Sequence, residues 1–199
     1  DPLYHRPPSD EEVQQVNHMI PFQGHFLLFV GTLEPRKNLP FLLRVFKVIA
    51  DRNPDIHLVI VGGRGWLQDN LPTIPEKVSK RIIWLGYLNR ALLRALYSLS
   101  TLVLIPSLYE GFGLPAAEAM ACGKTVLASN ISSLPEVVAD GGILLPLHEQ
   151  AWVDKILHLL DNPSEIDQWG KKAKLVSLQF SWDKAAKETL ALYRQVLGV

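Results

Sequence analysis

Short apolar runs alternate with amphipathic stretches along the chain from Phe26 onward. Runs of this length, composed almost entirely of apolar residues, are typical of strands buried on both faces of a sheet. They predict strands at residues 26–30 (FLLFV), 57–61 (HLVIV), 82–85 (IIWL), 102–105 (LVLI) and 125–128 (TVLA).

The stretches between and after these runs have the spacing of helices. One helical face is formed by Leu39, Leu42, Leu43, Phe46, Ile49 and Ala50. Asn38 is placed to cap that helix. Helices are also predicted at Ala91–Leu99 and at Pro115–Ala121, with proline at the first position and Gly123 just past the end. The tail from Trp152 to Leu197 predicts two or three helices, broken near residues 162–163 and 180–182.

The order of strand, helix and strand predicts a parallel sheet covered by helices on both faces, followed by C-terminal helices. This is the doubly wound, Rossmann-like α/β fold. In such a sheet, ligands bind beyond the carboxyl ends of the strands, so the connections after the strands are the places to search. These connections are GTLEPRKN (31–38), GGRGW (62–66), GYLN (86–89) and PSLYEGFG (106–113).

Composition narrows the classes of function. The chain has 199 residues, of which 48% are hydrophobic, enough for one well-packed domain. Twenty basic residues balance twenty acidic ones, which does not favour nucleic acid or an anionic membrane as a partner. Cys122 is the lone cysteine, and no apolar run reaches the roughly 20 residues of a membrane span. We expect a cytoplasmic protein, with any membrane contact peripheral and at the inner face.

The first residues differ in character from the rest of the chain. The opening DPLYHRPPSDEEVQQ is rich in proline and charge, and the first residue is Asp1 rather than methionine. We therefore expect residues 1–22 to be a lead-in from a preceding domain and residues 23–199 to form the Rossmann-like domain.

Two glutamates flank the glycine-containing part of the fourth connection. Gly111 and Gly113 would let backbone amides approach a ligand, and a helix beginning at Pro115 would direct its free N–H groups the same way. Glu110 and Glu118 could then hold vicinal hydroxyls, one of a ribose and the other of a hexose. The alternative is that Glu118 only complements the helix dipole while Glu110 is solvated.

The first connection carries two adjacent cations, Arg36 and Lys37, just before a helix. Cations beside helix amides are a common arrangement for phosphate, which makes a pyrophosphate a plausible ligand. The alternative is a solvated basic pair that follows Glu34.

Other chemistries find less support in the sequence. The GGRGW connection lies after the second strand and lacks the G-x-G-x-x-G spacing, which argues against NAD binding. Its glycines, Gly63 among them, would let the backbone approach a ligand or would turn the chain. The six histidines show no metal-ligand spacing, and the serines lack a G-x-S-x-G elbow. Cys122 has no evident base partner. Trp66 is the tryptophan placed in a ligand-facing connection.

The sequence also resembles a known family. Residues 106–145, PSLYEGFGLPAAEAMACGKTVLASNISSLPEVVADGGILL, are similar to the donor-binding half of glycosyltransferase family 4, including its E-x7-E motif at Glu110 and Glu118. Residues 31–46, 58–66, 82–88 and 180–197 resemble the same family, especially its bacterial mannosyltransferase-like members. Members are retaining enzymes of GT-B fold, so the resemblance implies that this chain is one half of such a fold.

The resemblance implies a role for each matching residue. Glu118 would bind the nucleotide ribose, and Glu110 would contact the donor sugar near the reacting carbon. Backbone amides of the next four residues would meet the sugar and phosphates; these are Gly111, Phe112, Gly113 and Leu114. Arg36 and Lys37 would neutralise the diphosphate leaving group in place of a metal ion, so no cofactor is expected. The Tyr87–Leu88 segment would meet the base.

Two departures from the family pattern stand out. Many members carry arginine two residues after the first strand, where this chain has Thr32 after Gly31; Arg36 is the candidate to replace it. The amino-terminal domain that would supply the acceptor site has no match here. The last helix, roughly Trp182–Leu197, would pack on that domain in the family.

These expectations combine into one hypothesis. The chain is the donor-binding half of a retaining glycosyltransferase that transfers a hexosyl group, with mannose from GDP-mannose preferred, to a glycan or lipid-linked acceptor. Alone, it should bind nucleotide weakly and transfer nothing. The alternatives are a sugar-nucleotide epimerase or phosphorylase of GT-B fold, and a non-catalytic nucleotide-binding module.

Overall fold

The computed structural model describes residues 2–63, 65 and 71–198. Within them, one parallel sheet contains β1 to β6, in the spatial order β3-β2-β1-β4-β5-β6. The strands are β1 Phe26–Val30, β2 His57–Val61, β3 Ile82–Gly86, β4 Leu102–Ile105, β5 Val126–Ser129 and β6 Ile143–Leu145. The strand order reverses between β1 and β4, which is where ligands bind in doubly wound sheets. The predicted fold class is confirmed.

Helices connect the strands and complete the chain. They are α1 Asp10–Met19, α2 Leu39–Arg52, α3 Glu76–Ser79, α4 Arg90–Leu99, α5 Leu114–Ala121, α6 Leu134–Val138, α7 Glu149–Asp161, α8 Pro163–Ser177 and α9 Trp182–Leu197. Two short 3-10 helices, Pro2–His5 and Pro35–Lys37, precede α1 and α2. The predicted helical tail is confirmed as α7, α8 and α9.

The alternation of side chains along each strand produces two hydrophobic cores, one on each face of the sheet. Phe26 and Leu28 of β1 face a core built with α4, α5 and α6. Leu27 and Phe29 face the opposite core, built with α2 and α7 and containing the fully buried Trp152. Burial on both faces explains why the strands have almost no polar positions.

Some boundaries differ from those predicted. The fifth strand runs over Val126–Ser129, one residue later than expected, and β6 was not predicted because three apolar residues before a proline form too short a pattern. Helix α5 begins at Leu114, one residue before Pro115. Asn38 precedes α2 as expected but has a left-handed backbone (φ 56°) and makes no capping hydrogen bond with its side chain.

The stretch expected as a lead-in contains α1, which begins with a capping box between Ser9 and Glu12. Val16 of α1 is fully buried and belongs to the same core as α4 and α5. Arg94 of α4 makes an ion pair with Glu12. Helix α1 and the 3-10 helix before it therefore pack on the domain.

Candidate functional site

The connections after the first four strands meet at the carboxyl edge of the sheet. Backbone hydrogen bonds join each of them to another, with N–H donors named first: Gly31 to Val61 (2.9 Å), Leu33 to Gly63 (3.2 Å), Gly62 to Gly86 (2.8 Å) and Leu108 to Arg36 (2.7 Å). The four connections in which a ligand site was sought therefore lie along one edge of the sheet. We refer to this edge, formed by residues 31–38, 62–63, 86–89 and 106–114, as the rim.

Glycine is required where the first two connections touch. A Cβ atom on Gly62 would lie 1.9 Å from the carbonyl oxygen of Gly31, and the φ of Gly62 is +154°. The stem of Lys37 lies over Gly31, since a Cβ atom there would be 3.2 Å from its Cε. In this part of the rim, backbone therefore packs directly against backbone. The polar side chains that could contact a ligand come from the first and fourth connections.

An ion cluster lies at the point where the strand order reverses. Lys37 Nζ donates to Glu110 Oε1 at 2.6 Å, and Arg36 Nη1 donates to Glu110 Oε2 at 3.0 Å. The Lys37 and Glu110 side chains are 7% and 5% exposed, whereas that of Arg36 is 42% exposed and also binds Glu34. The structure thus joins the two predicted cations directly to one of the two predicted glutamates, and Arg36 is the member with a face toward solvent.

Four serines fix the loop that carries Glu110. Ser107 Oγ donates to Glu110 Oε1 at 2.7 Å, and Ser129 Oγ donates to the Ser107 carbonyl. Ser132 and Ser133 both donate to the Glu110 carbonyl, at 2.8 and 3.0 Å. Side chains from the end of β5 and from the loop after it therefore fix the Glu110 loop by hydrogen bonds. These contacts were not predicted.

The backbone after Glu110 presents N–H groups at the start of α5. In the part of the chain that the structure describes, no protein acceptor pairs with the N–H of Gly111, Phe112, Gly113 or Leu114. Gly113 has a φ of +98°, and a Cβ atom there would lie 2.9 Å from Leu134 Cδ2. A row of unpaired amides at a helix N-terminus is a binding site for anions and for hydroxyl oxygens.

The second glutamate has different neighbours. Tyr97 of α4 donates its hydroxyl to Glu118 Oε2 at 3.2 Å, and the hydroxyl of Tyr4, from the 3-10 helix Pro2–His5, lies near the same carboxylate. Burial raises the pKa of Glu118, while the two phenol donors oppose that rise. Glu118 is the fifth residue of α5, about 6 Å along the helix axis from Leu114.

The other residues predicted to contact the donor lie along the rim and differ in how exposed their side chains are. Tyr87 is 84% exposed just after β3, whereas the neighbouring Leu88 is 8% exposed and belongs to the core. Thr32 is exposed after β1, and Phe112 packs edge-on against Phe180 with ring centres 5.4 Å apart. Trp66 lies outside the described residues.

The contacts of the serines around Glu110 and of Tyr97 were not predicted from the sequence. The serines were considered only as nucleophiles, although Ser107 three residues before Glu110 in a turn was a signal for a local side-chain bond. Tyr97 was not considered as a site residue; its hydroxyl on the apolar face of a predicted helix was the available signal, because a buried phenol needs a hydrogen-bond partner.

The fold and the rim together define a class of protein. It is a doubly wound domain with cations, a carboxylate and unpaired helix amides at the switch point, where the strand order reverses between β1 and β4. The family model described as glycosyl transferases group 1 matches residues 10–176. The chain belongs to this family. It is a glycosyltransferase domain of GT-B type.

Particular relatives are similar over most of the chain. O-antigen chain mannosyltransferase B of Escherichia coli is 36% identical over 185 residues, covering 89% of this chain and 47% of the relative. D-inositol 3-phosphate glycosyltransferase of Mycobacterium leprae is 31% identical over 203 residues, covering 96% and 46%. The solved structure of sucrose-phosphate synthase from Thermosynechococcus elongatus matches with a TM-score of 0.80 and 27% identity, covering 98% of this chain and 51% of that one.

The chain thus spans about half the length of the curated relatives it matches. None of the helices in the described ranges is both long enough and apolar enough to cross a membrane.

Proposed function

We propose that this domain binds the nucleoside-diphosphate sugar of a retaining hexosyltransferase, with GDP-mannose as the preferred donor. The observation that carries the proposal is the ion cluster of Arg36, Lys37 and Glu110, which lies beside the unpaired amides of residues 111–114 at the switch point of the sheet. Membership of the glycosyl transferases group 1 family supports it.

The cations would bind the diphosphate. Arg36 keeps 42% of its side chain exposed and can turn its guanidinium to phosphate oxygens without leaving the rim. Lys37 is buried against Glu110, so its ammonium would act as a fixed positive charge below the leaving group. Since these two cations would offset the charge of the departing diphosphate, the reaction would proceed without a metal ion.

Glu110 and the amides would bind the transferred sugar. Two of the carboxylate's contacts are to cations, and a charge-balanced carboxylate held by Ser107 is a rigid acceptor for sugar hydroxyls. The N–H groups of residues 111–114 would donate to hydroxyl or phosphate oxygens on the other side. Glu110 would then be the protein group nearest the reacting carbon.

The nucleoside would extend along the rim away from the ion cluster. Glu118 would accept hydrogen bonds from the two ribose hydroxyls, and the exposed Tyr87, together with the backbone of the buried Leu88, would lie beside the base. Gly31, Thr32 and Gly63 would line the path of the phosphates with backbone rather than bulky side chains.

A second domain would complete the enzyme. The apolar residues of α9 are exposed, among them Trp182 (65%), Tyr193 (61%), Val196 (77%) and Leu197 (74%). An apolar helix face of this size is typical of an interface, and the acceptor domain that this chain does not contain would cover it. The 36% identity to an O-antigen mannosyltransferase supports mannose as the sugar and a glycan or lipid-linked glycan as the acceptor. The chain alone would bind donor weakly and transfer nothing.

Calorimetric titration of the 199-residue chain with GDP, UDP and GDP-mannose tests the proposal. We expect binding without added metal and unchanged by EDTA, and a loss of affinity of about tenfold in Arg36→Gln, the loss of one charge-assisted contact. Arg44→Gln is the matched control, because Arg44 is 46% exposed and pairs with one acid, Glu149, away from the rim. Equal affinities of the two variants would refute the diphosphate assignment.

A further inference from the structure

Glu118 lies beside two tyrosines that come from different parts of the chain. Tyr97 is fully buried in α4, and Tyr4 is 4% exposed in the 3-10 helix Pro2–His5. Their rings pack edge to face, with centres 6.1 Å apart and planes at 72°. Tyr97 donates its hydroxyl to Glu118 Oε2 at 3.2 Å, and the Tyr4 hydroxyl lies close enough to the same carboxylate to lower its pKa.

The chemistry of these groups is complementary. A phenol donates its hydroxyl hydrogen, while an ionised carboxylate can only accept and offers about four lone-pair positions. Burial disfavours the charged form of Glu118 and raises its pKa, and the two phenols are the main groups that oppose this. The Tyr97 hydroxyl limits the carboxylate's rotation, and the edge-to-face contact with Tyr4 holds the Tyr97 ring in place.

We infer that Tyr97 and Tyr4 are positioning residues that orient the Glu118 carboxylate so that its remaining lone pairs receive the two ribose hydroxyls of a nucleoside diphosphate. This inference rests on the ribose role given to Glu118 under the proposed function. The tyrosines act through Glu118 and do not touch the nucleotide.

The inference gives the first residues of the chain a part in donor binding. Tyr4 precedes α1, and the segment is tied to α4 because Arg94 donates to the Leu3 carbonyl at 3.4 Å and pairs with Glu12. The segment before the Rossmann-like domain thus supports Tyr97 and, through it, the orientation of Glu118. A change in how that segment packs would alter the orientation of Glu118.

The test compares a ribonucleotide with its analogue lacking the two hydroxyls. GDP and 2′,3′-dideoxy-GDP are titrated into the 199-residue chain and its variants Tyr97→Phe and Tyr4→Phe. We expect wild type to prefer GDP. Tyr97→Phe should lose about tenfold in affinity for GDP, the scale of one hydrogen bond to a charged group, and nothing for the dideoxy analogue. Tyr193→Phe, on the exposed face of α9, is the control.

The outcomes separate the inference from the proposal beneath it. If wild type binds GDP and its dideoxy analogue equally, the ribose role of Glu118 is wrong and the positioning role falls with it. If wild type discriminates but both tyrosine variants discriminate equally well, only the positioning role is wrong. An equal loss for both nucleotides identifies a general structural role and overturns the inference. Tyr4→Phe provides the same test if Tyr97→Phe does not fold.

Discussion

The ion pair between Lys37 and Glu110 is buried deeply enough that removing one partner has a large effect on stability. Their side chains are 7% and 5% exposed, and Glu110 Oε1 also accepts from Ser107. Glu110→Gln keeps the shape of the side chain but leaves the Lys37 ammonium without a counter-charge. Breaking a buried pair in this way costs about 3–5 kcal/mol, compared with a total stability of roughly 5–15 kcal/mol for a typical domain.

Urea unfolding followed by tryptophan fluorescence measures this loss as a shift of the midpoint at constant slope. Glu149→Gln is the control, because the Arg44–Glu149 pair is 46% exposed on both sides and an exposed pair contributes under about 1 kcal/mol. In the double variant Lys37→Met/Glu110→Gln, the loss should be smaller than the sum of the single losses, since no charge remains buried alone. A Glu110→Gln loss no larger than that of Glu149→Gln would refute this reasoning.

Three further predictions concern the rim. Burial raises the pKa of Glu118 above its ordinary value. As pH falls through that raised pKa, Glu118 takes up a proton and accepts fewer hydrogen bonds, so the affinity for GDP, measured by calorimetry, should fall in wild type but not in Glu118→Gln. Gly113→Ala should lower the free energy of unfolding measured in urea by about 1–2 kcal/mol, because φ is +98° and the new Cβ would lie 2.9 Å from Leu134 Cδ2. Gly111→Ala is the control and should cause no such loss, because there is open space where its Cβ would lie. GDP affinity should decrease as salt rises if Arg36 and Lys37 bind phosphate, and salt-independent binding would contradict that.

The fold was predictable because its signals are local. Each strand from β1 to β5 consists almost entirely of apolar residues, the pattern expected of a parallel sheet buried on both faces. The position of the candidate site was predicted from the rule that ligands bind beyond the carboxyl ends of parallel strands. The strand order, which was not predicted, adds that the connections after β1 and β4 meet where that order reverses.

The contacts inside the site were less predictable because they join residues distant in sequence. Lys37 and Glu110 are separated by 73 positions, and nothing in either local pattern identifies the other as a partner. Tyr4 lies in a proline-rich stretch that reads as a lead-in, so its approach to Glu118 depends on the packing of α1 on α4. Asn38 was predicted to cap α2, but its backbone is left-handed and its side chain makes no capping hydrogen bond. That backbone conformation is not visible in the local sequence pattern.

The central claim is that the rim, rather than any other surface, receives the donor diphosphate. A crystal structure of the 199-residue chain with GDP tests it most directly. We predict the diphosphate within hydrogen-bond distance of Arg36 and the amides of residues 111–114, with the ribose hydroxyls on Glu118. A nucleotide bound elsewhere, for instance in the cleft of about 310 Å³ lined by Lys124, Lys171 and Lys174, would contradict the account.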